Sequence, residues 1–215
     1  MLQMTVAIAI LGVTQMHGQH GKHGNPEDLE AYIARMEEPG RAEWQKPDEV
    51  VRALGLQRGQ VACDIGAGPG YFALRIARAV GEDGGVYAVD VEPRILEALR
   101  KRLQPTGLRN VTPVLALSDD SLLPPRACDL ILIVDTYHHF PDGPAYLRRL
   151  GRALKPGGRI VNIDFHKREL PVGPAPDHKL TREEFLQQAA AAGFALVGEH
   201  SFLPYQYFLV LQPKP

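Results

Sequence analysis

No excess of charge marks this sequence: 24 basic against 25 acidic side chains leave a formal net charge of −1 over 215 residues. Such a balance supplies no field to draw the chain onto nucleic acid or an anionic membrane, so the expected partner is small or neutral. Cysteine is as scarce. Cys63 and Cys128 are the only two, they form no C-x-x-C pair, and neither has a histidine close by in sequence. Each borders an apolar run, so both are expected as core thiols rather than as a disulfide or a metal pair. Long hydrophobic runs are missing too. TVAIAILGV, nine residues near the N-terminus, has the length of a signal-peptide core and is too short to span a bilayer, which excludes stable membrane insertion by this run. The MLQM before it carries no positive side chain, so the compartment stays open: cytoplasmic, or periplasmic if the run is a signal peptide.

What is present divides into three parts. Residues 1–24 read as a flexible or signal-like segment in which His17, His20 and His23 alternate with glycines. Glycine spacing lets imidazoles converge but fixes no geometry, so no metal site is assigned to them. Residues 25–57 read as a helical cap. Leu29, Ile33 and Met36 in PEDLEAYIARMEE share one helical face, EPGRAEWQKP breaks that helix, and PDEVVRALGL begins another with proline inside its start. Trp44, the only tryptophan, is expected to pack rather than to touch a ligand. Residues 58–215 form the main domain, a single core at this length.

In that domain period two alternates with period 3.6. VACDI, GGVYAVD, NVTPVLA, DLILIVD and GRIVNIDF read as strands, separated by the amphipathic helices PGYFALRIARAV, PRILEALRKRL and PAYLRRLGRAL. Near-continuous apolar strands between such helices predict a parallel sheet covered on both faces. KLTREEFLQQAAAAGF adds a helix with a Thr181–Glu184 capping-box spacing, and FALVGEHSF and PYQYFLVLQP add two closing strands. The predicted architecture is a three-layer Rossmann-like α/β sandwich, its seven-stranded sheet mostly parallel with an antiparallel C-terminal strand. Sheets of this kind bind ligands at the carboxyl ends of their strands.

The loop DIGAGPG follows the first of these strands. Gly66 and Gly68 leave no side chain between backbone and ligand, and Gly70 allows close contact where the next helix begins. No GK[ST] follows, which excludes a Walker loop, and G-x-G-x-G is not the dinucleotide spacing. Asp64 ahead of the glycines would repel pyrophosphate and accept hydrogen bonds from a cationic amino group. A ligand with both an ammonium and a carboxylate therefore fits better than one with two phosphates. Asp90, ending the second strand, can accept the hydroxyls of a ribose, or else cap the following helix. Asp119 and Asp120 follow the third strand, in reach of an adenine edge or of solvent.

In order, DIGAGPGYFAL, YAVDVEP, SDDSLLPP, DLILIVDTYHHF and LKPGGRIVNIDF make the chain resemble the class I S-adenosylmethionine-dependent methyltransferases, in particular the small methyltransferase-11/25 type, from about Glu43 to Leu211. WQKPDEV is similar to the segment that precedes the core in a bacterial subset. The resemblance implies S-adenosyl-L-methionine as cofactor. Asp64, Gly66, Gly68 and Gly70 would wrap its methionine part, Asp90 would hold its ribose, Asp119 and Asp120 would border its adenine, and Asp135 would lie beside its amino-acid moiety and the substrate. Leu117 stands where the family has an acid.

The implied reaction is attack by a nucleophilic atom of a small-molecule acceptor on the sulfonium methyl, for which alignment supplies much of the catalysis. His138 and His139, just past the fourth strand, are the candidates for base or substrate binder, and Tyr137 for orienting the substrate. His166, Lys167, His178, Lys179, Tyr205 and Tyr207 could border the same cleft. No nucleic acid is expected as acceptor, arsenite is disfavoured by the lack of further thiolates, and no NPPY-like motif points to amide or adenine nitrogen. The alternative is a non-catalytic nucleoside- or metal-binding protein on the same fold. The oligomeric state is not legible.

Overall fold

The structure is a computed structural model that describes residues 28–215; His17, His20 and His23 lie outside the described residues. Three short helices come first: α1 (Leu29–Met36), α2 (Arg41–Gln45) and α3 (Pro47–Ala53). Asp28 caps α1 by accepting from the Ala31 amide at 2.9 Å. Leu29, Ile33 and Met36 make a partly buried face on α1, as their spacing predicts. Pro47 opens α3, where its missing N–H has no intrahelical partner to lose.

The alternation then runs β1 (Val61–Ile65), α4 (Ala73–Val80), β2 (Gly85–Asp90), α5 (Pro93–Leu103), β3 (Val111–Leu115), β4 (Cys128–Val134), α6 (Gly143–Ala153), β5 (Leu154–Phe165), α7 (Arg182–Ala191), β6 (Phe194–His200) and β7 (Gln206–Pro213). These strands build one seven-stranded sheet in the order β3-β2-β1-β4-β5-β7-β6. Strands β1 to β5 are parallel, and β7 slots between β5 and β6 antiparallel to both. The chain moves outward from β1 on one side and restarts at β4 on the other, so a crevice opens at the carboxyl ends of β1 and β4.

Alternation along the strands feeds two cores. Ala62, Leu130, Leu132, Val161 and Ile163 pack under α3, α4 and α5, whereas Ile65, Ile131, Ile133, Ile160 and Leu209 pack under α6 and α7. Removing one such buried side chain, for example Leu132→Ala, costs about 2–5 kcal/mol. Thr181 and Glu184 form the expected capping box at the start of α7.

One expectation fails. Cys63 and Cys128 are not separate thiols but a disulfide, with Cα atoms 6.1 Å apart across 65 residues of sequence. Both are fully buried on the α6/α7 face, and β1 and β4 are adjacent in the sheet although distant in the chain. Local sequence carries no sign of that adjacency. Alkylation of the denatured, unreduced protein should therefore leave both cysteines unmodified, and Cys63→Ala with Cys128→Ala should lower stability by about 2–4 kcal/mol in a denaturant titration. Two alkylated thiols before reduction would reject the bridge.

Candidate active site

β1 ends in Asp64 and Ile65, and the backbone then turns through three glycines with positive φ before α4. Their requirements differ. A Cβ at Gly66 (φ +72°) would fall 2.3 Å from Thr136 Oγ1, and one at Gly70 would fall 2.4 Å from Leu74 Cδ1. Gly66 thus lets the loop press against the end of β4, while Gly70 seats the loop on α4 and α5. Met36 of α1 lies over Gly68.

Asp90 ties this loop to β2. Its Oδ2 accepts from the Gly68 amide at 2.9 Å and its Oδ1 from the Glu92 amide at 3.0 Å. The helix cap is Glu92, whose carboxylate accepts from the Arg94 amide, so capping is not the role of Asp90. Lone pairs on both Asp90 oxygens remain for further donors.

Asp64 is 3% exposed, and its Oδ2 has no hydrogen-bond partner. Burial pushes its pKa up to about 7, helped by Asp90 and opposed by the Ala73 amide and Arg41. Asp135, directly after β4 in a left-handed conformation (φ +51°), is shifted the same way by desolvation and by Asp164, against Arg41, Gln206 and His138. Arg41 comes from the cap. Its guanidinium packs 4.1 Å from the centre of the Tyr71 ring, donates to Met36 O and Gln45 Oε1, and feels both carboxylates. Gln45 Nε2 donates to Gln206 Oε1 at 2.7 Å, and Gln206 Nε2 donates to Asp135 Oδ1 at 2.5 Å. The cap is therefore latched by hydrogen bonds to the start of β7 and the end of β4.

Beyond Asp135 the chain makes one 3-10 turn, Tyr137–His139. His138 Nδ1 sits 3.1 Å from Asp164 Oδ2, and both side chains are buried, at 6% and 1% exposure. His139 is exposed, its ring 4.2 Å from that of His138. The Tyr137 hydroxyl donates to Gln188 Oε1 at 2.8 Å, and its ring stands edge-on to Phe185, so Tyr137 braces the turn against α7. Tyr137, His138, Phe140, Pro141 and Leu180 border a cavity of about 430 Å³. Another cavity, about 390 Å³, lies beside Leu154, Gly158 and Gln212 at the opposite end of the sheet, away from all these groups.

The remaining expected residues scatter. Asp119 turns outward to Arg149, and Asp120 accepts from the Leu122 amide. Val91 and Leu117, 48% and 55% exposed, offer apolar surface after β2 and β3. Trp44 packs on Phe165 and Tyr205, as expected. Tyr207 is buried, and Lys167 pairs with Glu184. Asp164, Arg41, Gln45 and Gln206 did not stand out in the sequence. Asp164 had a signal: with Asn162 it puts polar groups at alternate positions of the otherwise apolar second half of β5, IVNIDF.

The profile described as methyltransferase domain matches residues 56–202. The chain belongs to that family. The ubiquinone/menaquinone biosynthesis C-methyltransferase of Serratia proteamaculans is 34% identical over 114 residues, 53% of this chain and 45% of that protein; that of Proteus mirabilis is 32% identical over 118 residues, 54% and 47%. The chain spans about half the length of the curated relatives it matches. Among solved structures, an S-adenosylmethionine-dependent methyltransferase from Aquifex aeolicus superposes with a TM-score of 0.80 at 26% identity, covering 84% of this chain and 96% of that one. A type 11 methyltransferase fold from Sulfolobus solfataricus gives 0.59 at 22% identity, covering 84% and 93%.

The residues present fit the cofactor of this methyltransferase family. Asp64 offers an unpartnered buried carboxylate oxygen, Gly66 and Gly68 bare backbone, Asp90 spare acceptor capacity, and Val91 and Leu117 an apolar wall. Among the described residues no three His, Cys, Asp or Glu side chains could hold a metal ion, and no helix is long and apolar enough to cross a membrane.

A cationic ligand favours ionised Asp64, so below about pH 7 binding must displace a proton. Affinity for S-adenosylmethionine should therefore rise up to about tenfold between about pH 6 and 8. Calorimetry in two buffers of different ionisation enthalpy should register proton release at the acid end; a flat affinity without release would exclude Asp64 from the cation site.

Proposed function

We propose that the chain is an S-adenosylmethionine-dependent methyltransferase acting on a nucleophilic atom of a small molecule. One observation carries this reading: the unpartnered, buried Asp64 carboxylate and the Asp90-held glycine loop abut, through Gly66 and Thr136, the turn that carries His138. A cofactor half and an acceptor half thereby share one crevice. Bound S-adenosylmethionine would supply an electrophilic methyl for a lone pair of the acceptor, with the carbon–sulfur electrons leaving on a neutral thioether.

The protein's part is to bind, align and exclude water. Asp64 and Asp135 provide negative charge for the ammonium and sulfonium groups, and Arg41 provides a cation for the carboxylate. Asp90 takes the ribose hydroxyls. Val91 and Leu117 flank adenine, with the segment of Asp119 and Asp120 bordering it. His138, with His139 beside it, faces the acceptor, and Tyr137 holds their turn. The near-neutral total charge and a cavity lined without lysine or arginine support a small metabolite over nucleic acid. Relatives named for ubiquinone/menaquinone biosynthesis support the same class. Between the two compartments, the Cys63–Cys128 bond supports an oxidising one.

Calorimetry should show S-adenosylmethionine and its demethylated product binding more tightly than NAD, and Asp90→Ala should weaken both by about tenfold or more. Incubating the protein and a metabolite extract with isotopically labelled methyl donor should yield a labelled product, and His138→Ala should cut its formation by about 100-fold while cofactor affinity holds. Tighter NAD binding would overturn the cofactor assignment; binding without any labelled product would favour the non-catalytic alternative.

A further inference from the structure

His138 is fixed from one side only. Its Nδ1 meets Asp164 Oδ2, and Asp164 Oδ1 accepts from the Phe165 amide at 2.8 Å, so the carboxylate cannot swing away without breaking that bond. As a carboxylate Asp164 only accepts, which makes Nδ1 the donor and leaves Nε2 with its lone pair. No described residue bonds Nε2, and His138 lines the cavity.

The cavity also limits what can sit there. Its lining has no lysine or arginine, so a carboxylate or phosphate on the acceptor would meet no cation. Its one acidic residue, Asp142, caps α6 by accepting from the Ala145 amide at 2.9 Å through one carboxylate oxygen. Tyr137, Phe140, Pro141 and Leu180 offer flat or apolar surface. An acceptor without an anionic group fits, with the aromatic rings of Tyr137 and Phe140 beside it. A neutral hydroxyl must lose its proton as it is alkylated, and an imidazole suits phenolic and enolic hydroxyls better than aliphatic ones.

We propose that His138 and Asp164 form a base dyad: Asp164 is a positioning residue that holds the imidazole with Nδ1–H inward, and Nε2 receives the proton of a phenolic or enolic acceptor. This deepens the methyltransferase reading above and rests on it. The acceptor oxygen gains the methyl and loses its proton to Nε2, which returns it to solvent. The groups facing His138 are Asp164 from β5, Asp135 from the end of β4 and the adjoining His139. Burial alone would lower the His138 pKa; the Asp164 hydrogen bond and the charges of Asp164 and Asp135 outweigh it and hold the value above the ordinary histidine range.

Imidazole NMR on the full-length wild-type chain tests the dyad without a variant and without turnover. Neutral His138 should be the Nδ1–H tautomer and should titrate above the ordinary histidine value; the Nε2–H tautomer would overturn the proposal. In Asp164→Asn the His138 titration should move down by about one pH unit, and an unmoved titration would also overturn it. With para-nitrophenol as probe, the wild-type chain should convert the bound phenol to its coloured phenolate about tenfold more than His138→Gln does. Equal conversion by both would remove His138 as the base. Calorimetric binding of S-adenosylmethionine to the same proteins reports separately on the methyltransferase reading, whose failure would leave the NMR outcome to decide the dyad.

Discussion

The close approach of Gly66 to Thr136 is the constraint on which the crevice depends. These residues follow β1 and β4, the two strands from which the sheet grows in opposite directions. Because Gly66 has no side chain, the loop after β1 lies directly on the end of β4, Asp64 comes within electrostatic range of Asp90 and Arg41, and Arg41 of Asp135 as well. A larger residue at Gly66 would have to displace Thr136, and with it Asp135 and the turn carrying His138. The groups on the two sides of the crevice are therefore set by one backbone contact.

Electrostatics at this contact are unbalanced. Asp64 and Asp135, both with raised pKa values, face the partly buried guanidinium of Arg41, and Asp64 keeps an oxygen without any donor. Such an arrangement costs stability in a folded chain unless a cation arrives to share it. It is intelligible as a site, and hard to explain as packing.

Much of the architecture was legible because it follows from local patterns. Apolar strands such as DLILIV and helical faces such as Phe72, Ile76 and Val80 repeat with the periods of their elements, and the glycine loop announces itself by composition. The C-terminal strands were legible as a pair, though not the insertion of β7 between β5 and β6. What was not legible depends on distant segments meeting. The cysteine bridge needs β1 beside β4, and the role of Asp164 needs β5 beside the turn after β4. Gln206 gains meaning only when Gln45 and Asp135 approach it from 161 and 71 residues away. Tyr137 shows the same dependence, since its hydroxyl and ring are held by Gln188 and Phe185 of α7, about fifty residues on.

The latch from Gln45 through Gln206 to Asp135 bears on how the protein is made. During synthesis α2 leaves the ribosome well before its anchor on β7, which lies 161 residues further on. Domains generally fold as units as the chain emerges, and contacts this far apart in sequence form late. The cap must wait, unlatched, while the sheet grows outward from β1 and β4. Only when β7 slides between β5 and β6 does α2 find its fastening. A chain interrupted before β7 would present Asp135 without its amide partner and the cap without its hold.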